Sequence, residues 1–347
     1  MIKQFNLAAI ALAIGVAALP VQAANLTAET TSPGSAPNLS IGHLAEISAA
    51  TGIADLQVLS GQTLTNSVLN VAEGRSDIAS APLILGFLLK LGAGPYAAKK
   101  KEGAALAANL RALWPYNFGG YALMAFDSKG INSWDQLKGK TIYNGPPRGA
   151  ALTMARTMLQ LVGDVKEDKD YKGLQVNWGQ RSKTILEGAA DAVLIPATVP
   201  ADWIVSAQAA GKVTIISIPK DKFESEAFQK WATSPGVAPF SIPIAEMGYA
   251  DGVTVVSEDG VYRTVVTTGA EMVNKSMSND MAKALTAAYI KNIDSLKSKT
   301  PWAKHLNIGV LDPKLSGFCG PNPVKYHPGA VAAWEEAGYK VPDCAKP

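Results

Sequence analysis

Apolar residues along the chain change period in a way that alternates helix and strand. Ser40 to Ala50 carries them at helical spacing and closes at Gly52, and Leu56-Gln57-Val58-Leu59-Ser60 then reads as a strand. After Gly61-Gln62-Thr63, Leu64, Val68, Val71 and Ala72 mark one face of a second helix that stops at Gly74, and Asp77 to Pro82 is another strand. Farther on, Thr141-Ile142-Tyr143 is a short buried strand. Gly145-Pro146-Pro147-Arg148-Gly149-Ala150 turns it into a helix marked by Leu152, Ala155, Leu159 and Val162. Ser133-Trp134-Asp135-Gln136 is a capping-box pattern for a short helix ending at Gly139. Thr198 and Pro200 read as the cap and first turn of a helix carrying Trp203, and Val213 to Ile218 as a strand. From Pro219 to Gly260 the pattern weakens to short helices and loops. Arg263 to Val273 reads as a returning strand, Asp280 to Leu296 as an amphipathic helix, and the tail as loop followed by a helix containing Trp334.

The order repeats after about 115 residues. Leu174-Gln175-Val176-Asn177-Trp178-Gly179-Gln180 restates Leu56 to Gln62, and Glu187-Gly188-Ala189-Ala190-Asp191 restates Glu73-Gly74-Arg75-Ser76-Asp77. Each copy of the second motif leads into a small apolar strand ending at a proline, Pro82 or Pro196. The expectation is an α/β chain of two lobes: residues 24–120 with 269–347, and residues 121–268. In open α/β sheets ligands bind beyond the carboxyl ends of the strands. Two such edges facing each other across a hinge make the cleft of a two-lobe, type II-like binding protein.

The first residues bear on compartment. Lys3 is the only charge before an apolar run from Leu7 to Leu19, and Val21-Gln22-Ala23 offers small residues for cleavage, a signal-peptide pattern over 1–23 with export to the periplasm. That run is shorter than the roughly 20 residues a membrane span needs. The chain holds 32 basic and 29 acidic side chains, a balance that points to neither nucleic acid nor a polybasic membrane patch. Cys319 and Cys344, the only cysteines, are expected to pair in an exported protein.

Catalytic chemistry is thinly represented. His43, His305 and His327 show no metal-ligand spacing, and neither a nucleophile elbow nor a phosphate loop occurs. His327, before Pro328, reads as a structural hydrogen-bonder rather than a base. No catalytic residue, metal or cofactor is assigned. Binding groups are better represented: Ser32, Gly34 and Ser35 in the first loop, Ser60, Gly61, Gln62 and Asn66 around the second, and Arg148, Gly149 and Gln180 or Arg181 from the second lobe. Arg148 beside a helix N-terminus opposes the helix dipole, and an anion there would offset that; otherwise it is an exposed arginine in a surface turn. Arginine suits a carboxylate because its planar fork makes two parallel hydrogen bonds. Trp178 and Trp203 are candidate aromatic walls, with core packing as the alternative for each.

The succession Thr31-Ser32-Pro33-Gly34, Ser60-Gly61-Gln62 with Asn66, Glu73 to Asp77, Leu137-Lys138-Gly139-Lys140 leading to Gly145-Pro146-Pro147, and His327-Pro328-Gly329-Ala330 resembles the TAXI group of TRAP-transporter substrate-binding proteins over nearly the whole mature chain. The resemblance implies a monomeric periplasmic receptor that closes on a small organic acid or amino acid and delivers it to a TRAP membrane permease. Arg148 departs from the small Gly/Ser-rich turn usual there, and Asn38-Leu39-Ser40 replaces a frequent first-loop tyrosine, so ligand identity does not carry over; a carboxylate, such as a dicarboxylate or oxo acid, follows from Arg148. The rival readings are a periplasmic enzyme acting on a small organic acid and a sensor-coupled binding module.

Overall fold

The computed structural model describes residues 24–147 and 149–347, so the expected signal peptide and Arg148 lie outside the described residues. The chain opens with β1 (Ala24–Glu29), α1 (Ala36–Thr51), β2 (Ala54–Leu59), α2 (Leu64–Ala72), β3 (Ile78–Pro82), α3 (Leu83–Leu91) and α4 (Gly103–Ala107). Ser35 caps α1 by accepting from the Asn38 amide, and Gly52, left-handed at φ 67°, ends it. The periodic positions Val68, Val71 and Ala72 are the buried face of α2. β1 is an element the periodicity does not announce.

β4 (Leu110–Phe126) then crosses to a second α/β unit: β5 (Thr141–Tyr143), α5 (Ala150–Val162), β6 (Lys172–Leu174), α6 (Arg181–Leu186), β7 (Ala192–Ala197), α7 (Asp202–Gln208), β8 (Val213–Ile216), α8 (Lys220–Glu224), α9 (Glu226–Ala232), β9 (Val237–Pro243) and β10 (Val253–Val256). β11 (Val261–Asn274) returns, followed by α10 (Asn279–Lys291), α11 (Ile293–Ser298), α12 (Pro313–Ser316), β12 (Lys325–Tyr326) and α13 (Pro328–Glu336). Four expectations need correction. The stretch 219–260 contains two strands, β9 and β10. α7 begins at Asp202, because Thr198 donates to the Pro200 carbonyl and closes the preceding turn instead of capping the helix. The helix expected over 280–296 breaks at Asn292, whose side chain bonds the Ala288 carbonyl. The strand expected over 174–178, by its match to Leu56–Ser60, ends at Leu174 and continues as a turn.

The strands form one sheet whose two halves share a plan. The first half runs β2-β1-β3-β11-β4 and the second β6-β5-β7-β4-β8. In each, the fourth position is taken by the antiparallel strand that arrives from the other half. One apolar core gathers residues from Ala28 to Tyr116 and from Ala270 to Ala345, while two more, on opposite faces of the second half, gather residues between Tyr121 and Val265. We place the lobe boundary between them, where β4 and β11 slip register. Val266 pairs Gly120 whereas Thr268 pairs Asn117, so β4 carries one extra residue there. Gly119 sits in that bulge at φ 109°, and a Cβ on it would stand 2.9 Å from the Ala197 carbonyl oxygen.

The repeated Glu-Gly-x-x-Asp motif does the same structural work twice. Glu73 and Glu187 end α2 and α6, Gly74 and Gly188 follow with positive φ, and the next amide bonds back to Asn70 or Thr184. Asp77 then accepts from the Thr27 amide at 2.8 Å and Asp191 from the Thr141 amide at 2.9 Å. That amide holds the Asp191 carboxyl below the usual range. With Thr27 and Thr141 matched in this way, Leu59 (beside Glu29) matches Leu174 (beside Tyr143). The Leu-Gln-Val match of the sequences is therefore three residues out of structural register.

The tail packs on the first lobe. Trp334 donates to the Leu113 carbonyl at 3.0 Å, β12 pairs β4, and Cys319 is bonded to Cys344. His327 caps α13 through Nδ1 and uses Nε2 on the Met277 carbonyl. Gly329 is the point where α13 meets α10, since a Cβ there would stand 2.2 Å from the Asn279 carbonyl oxygen. Among the described residues, no helix is long and apolar enough to cross a membrane.

Candidate functional site

Strand direction fixes where the two lobes can hold a ligand. β3 is antiparallel to β11 and therefore runs with β4 toward the second lobe, taking the parallel strands β1 and β2 with it. β7 is antiparallel to β4 and runs toward the first lobe, together with β5 and β6. The carboxyl ends of both parallel sets point at each other, with the bulged strand pair between them.

On the first edge the two loops are tied together. Thr31 O accepts from Gly61 N at 3.1 Å, Thr30 O from Gln62 N at 2.9 Å, and Asn38 Nδ2 donates to Ser60 Oγ at 2.9 Å. Ser32, Gly34, Ser60, Gly61, Gln62 and Asn66 are exposed there, and Ser35 is half-buried as the α1 cap. The second edge brings Gly149, Trp178 and Gln180 to the surface; Trp178 is 45% exposed at the turn before α6. Trp203 does not join them. It is 4% exposed, its indole donates to the Pro196 carbonyl, and it belongs to a second-lobe core, so packing accounts for it. Arg148 lies outside the described residues.

Most helices that start on these edges lack an acid in the first turn, α7 with Asp202 after β7 being an exception. α1, α2 and α5 carry no acid in their first turns, and neither Thr63 before α2 nor Gly149 before α5 supplies a side-chain cap. Away from the edges the pattern is mixed: α9 and α10 have Ser225 and Ser278 as caps and Glu226 and Asp280 in the first turn, whereas α4 and α13 carry no acid there. Free N–H groups and an unopposed helix dipole leave the edges favourable to an anion.

Sequence reasoning missed the residues that hold the second edge in shape. Asn144, fully buried just after β5, accepts from Gln175 at 2.8 Å and donates to Glu167 at 3.2 Å. Glu167 also takes Gln175, Tyr171 and Arg156, and the Arg156 guanidinium holds its carboxyl below the ordinary range. Gly173 makes room for this cluster, since a Cβ would stand 2.1 Å from Glu167 Oε1. No local pattern announces it, because its members are spread from Asn144 to Gln175 and meet only when β5 and β6 pair. Arg181, at the start of α6, stands 3.8 Å from the exposed Asp202 carboxylate. It also pulls down a Tyr143 phenol that burial pushes up to about 12. Among the described residues, no three His, Cys, Asp or Glu side chains converge on a metal position.

Several solved structures resemble this chain. The periplasmic sulfonate-binding protein SsuA of Methylobacillus flagellatus, of a putative sulfonate ABC transporter, is 12% identical over 91% of this chain and 88% of that one, with a TM-score of 0.48. A TRAP periplasmic solute-binding protein of Rhodobacter sphaeroides is 12% identical over 90% and 92%, at 0.46, and one of Polaromonas bound to D-erythronate is 11% identical over 91% and 93%, at 0.44. At such identities the likeness concerns fold alone. A search of curated proteins finds no match. Residues 39–338 match the family model described as NMT1-like, and the chain belongs to the NMT1-like family.

Proposed function

We propose that this chain is an exported solute-binding receptor that closes two lobes over a small carboxylate and delivers it to a membrane transporter, of the TRAP type by the TAXI resemblance of its motifs. The observation that carries this reading is the opposition of two strand edges, on which α1, α2 and α5 start without an acid in the first turn, joined through a bulged strand pair. A ligand touching both edges favours the closed state, because only that state satisfies both sets of contacts. Arg148 holds the carboxylate, Ser60 to Gln62 meet the opposite polar end, and Trp178 forms a wall. The reading assigns the protein no catalysis.

Isothermal titration with pyruvate, succinate, glutamate and methanesulfonate tests it. Binding of a carboxylate is expected, and Arg148→Ala should weaken it about 10- to 100-fold, the range of a charge-assisted pair. Unchanged affinity in that variant removes Arg148 from the site, and preference for methanesulfonate removes the carboxylate assignment.

A further inference from the structure

A carboxylate lies buried directly behind the first edge. Glu271, on β11, is fully buried, and Ser80 on the neighbouring β3 donates to its Oε2 at 2.6 Å. Ser80 also stands 3.3 Å from the Pro37 carbonyl in the first turn of α1, so only one hydroxyl separates the carboxylate from that turn. Ser40 of α1 takes the Trp114 indole N–H at 3.4 Å and meets the Tyr289 hydroxyl at 3.0 Å. The groups facing Glu271 are thus the hydroxyls of Ser40, Ser80 and Tyr116, with Tyr289 behind them, and among the described residues no lysine, arginine or histidine acts on it. His43, on the same helix, turns to the Asn292 carbonyl.

Three buried oxygens here have no partner: Glu271 Oε1, Tyr116 Oη and Thr30 Oγ1. Tyr116 lies beside Glu271 and Ser80 without reaching hydrogen-bonding geometry to either. Thr30 follows Glu29, which pairs Ala79, and so adjoins Ser80 on the same sheet face. Unmet polar atoms in a core are costly, and an ionised carboxylate without a counter-charge more so. Neutral oxygens around a single carboxylate suit a hard cation of single charge; a divalent ion is ordinarily held by more than one acidic group.

We propose that Glu271 Oε1, Tyr116 Oη and Thr30 Oγ1 form a binding site for one monovalent alkali cation, of the sodium class, beneath the first turn of α1. One ion supplies the missing positive charge and a partner for all three oxygens. The site stands independently of the carboxylate ligand proposed for the cleft.

Thermal melting at about pH 8 tests it, because burial pushes the Glu271 carboxyl up to about 7 and it is ionised there. Sodium, potassium and choline chlorides are compared at equal ionic strength. The expected result is a saturable rise of about 2 °C or more with sodium over choline, absent in Glu271→Gln. Tyr116→Phe, which keeps the carboxylate, should raise the sodium concentration at half-effect, so the proposal stays testable if the glutamine variant does not fold. Identical wild-type melting in all three salts overturns the proposal. Melting that follows pH but not ion identity also overturns it, and assigns the charge balance to a proton.

Discussion

The ground beneath α1 and the ground beneath α5 are the same place in two lobes, built from opposite materials. Ser80 pairs Glu271 across β3 and β11; at the matching position Leu194 pairs Leu123 across β7 and β4. Ser40 is the fifth residue of α1, and Met154 the fifth of α5. Leu123 and Leu194 are buried in an apolar core with Ile216, and Met154 packs on it. The second lobe shows that this plan closes with leucines. Replacing buried charge by well-packed apolar groups is often neutral or stabilising, so the architecture alone does not call for Glu271. Its presence on the first lobe is the strongest sign that this spot does more than hold the sheet together.

The comparison breaks most easily by exchange. Leu123→Glu places a carboxylate where no hydroxyls await it, and should cost at least about 4 kcal/mol in urea unfolding; a cost below about 1 kcal/mol would mean that the second lobe tolerates what the first was built to hold. A smaller effect comes from pH. Burial raises the Glu271 carboxyl from 4.5 to about 7, so between those values the folded chain keeps a proton that the unfolded chain has released. In choline chloride, stability is full below about 4.5 and falls as pH rises toward 7, by up to about 3 kcal/mol. Glu271→Gln should lack that fall, and parallel pH profiles for the two proteins would separate Glu271 from it. Smallest is the effect expected where the lobes agree: Asp77→Ala and Asp191→Ala each remove a carboxylate from one strand amide and should each cost about 1–2 kcal/mol by the same measurement. Widely unequal losses would undo the equivalence of the two motifs.

Much of this was legible from local pattern. α1, α2, β3, β5 and α5 follow from periodicity and punctuation, and the Glu-Gly part of Glu-Gly-x-x-Asp marks a helix end in both lobes because it acts within a few positions of itself, whereas its Asp reaches a strand fifty residues away. Within 219–260 the Gly, Pro and mixed polarity give no strand period; β9 forms there by pairing β11. Leu-Gln-Val misled because pairing partners, not identical letters, set register. For the site, turn chemistry before helix starts points to loop residues that the fold carries to the two edges, whereas Trp203 packs in a core because its N–H meets the Pro196 carbonyl once β7 is formed. Glu271, a lone acid in a strand, gives no sequence signal, as its neighbours are Ser40, Ser80 and Tyr116.

The exchange of strands between lobes also sets an order of completion. The second lobe draws its sheet from the continuous stretch between Gly120 and Thr267, whereas the first needs the end of β11 together with β12 and α13 to fill its core. As the chain emerges from synthesis, the lobe begun first must wait for the last eighty or so residues, and its contacts are the more distant in sequence. A chain cut short before β11 would leave β9 without its partner in the later lobe, while the earlier one stood open, with β3 and β4 unjoined and Ser80 facing no carboxylate.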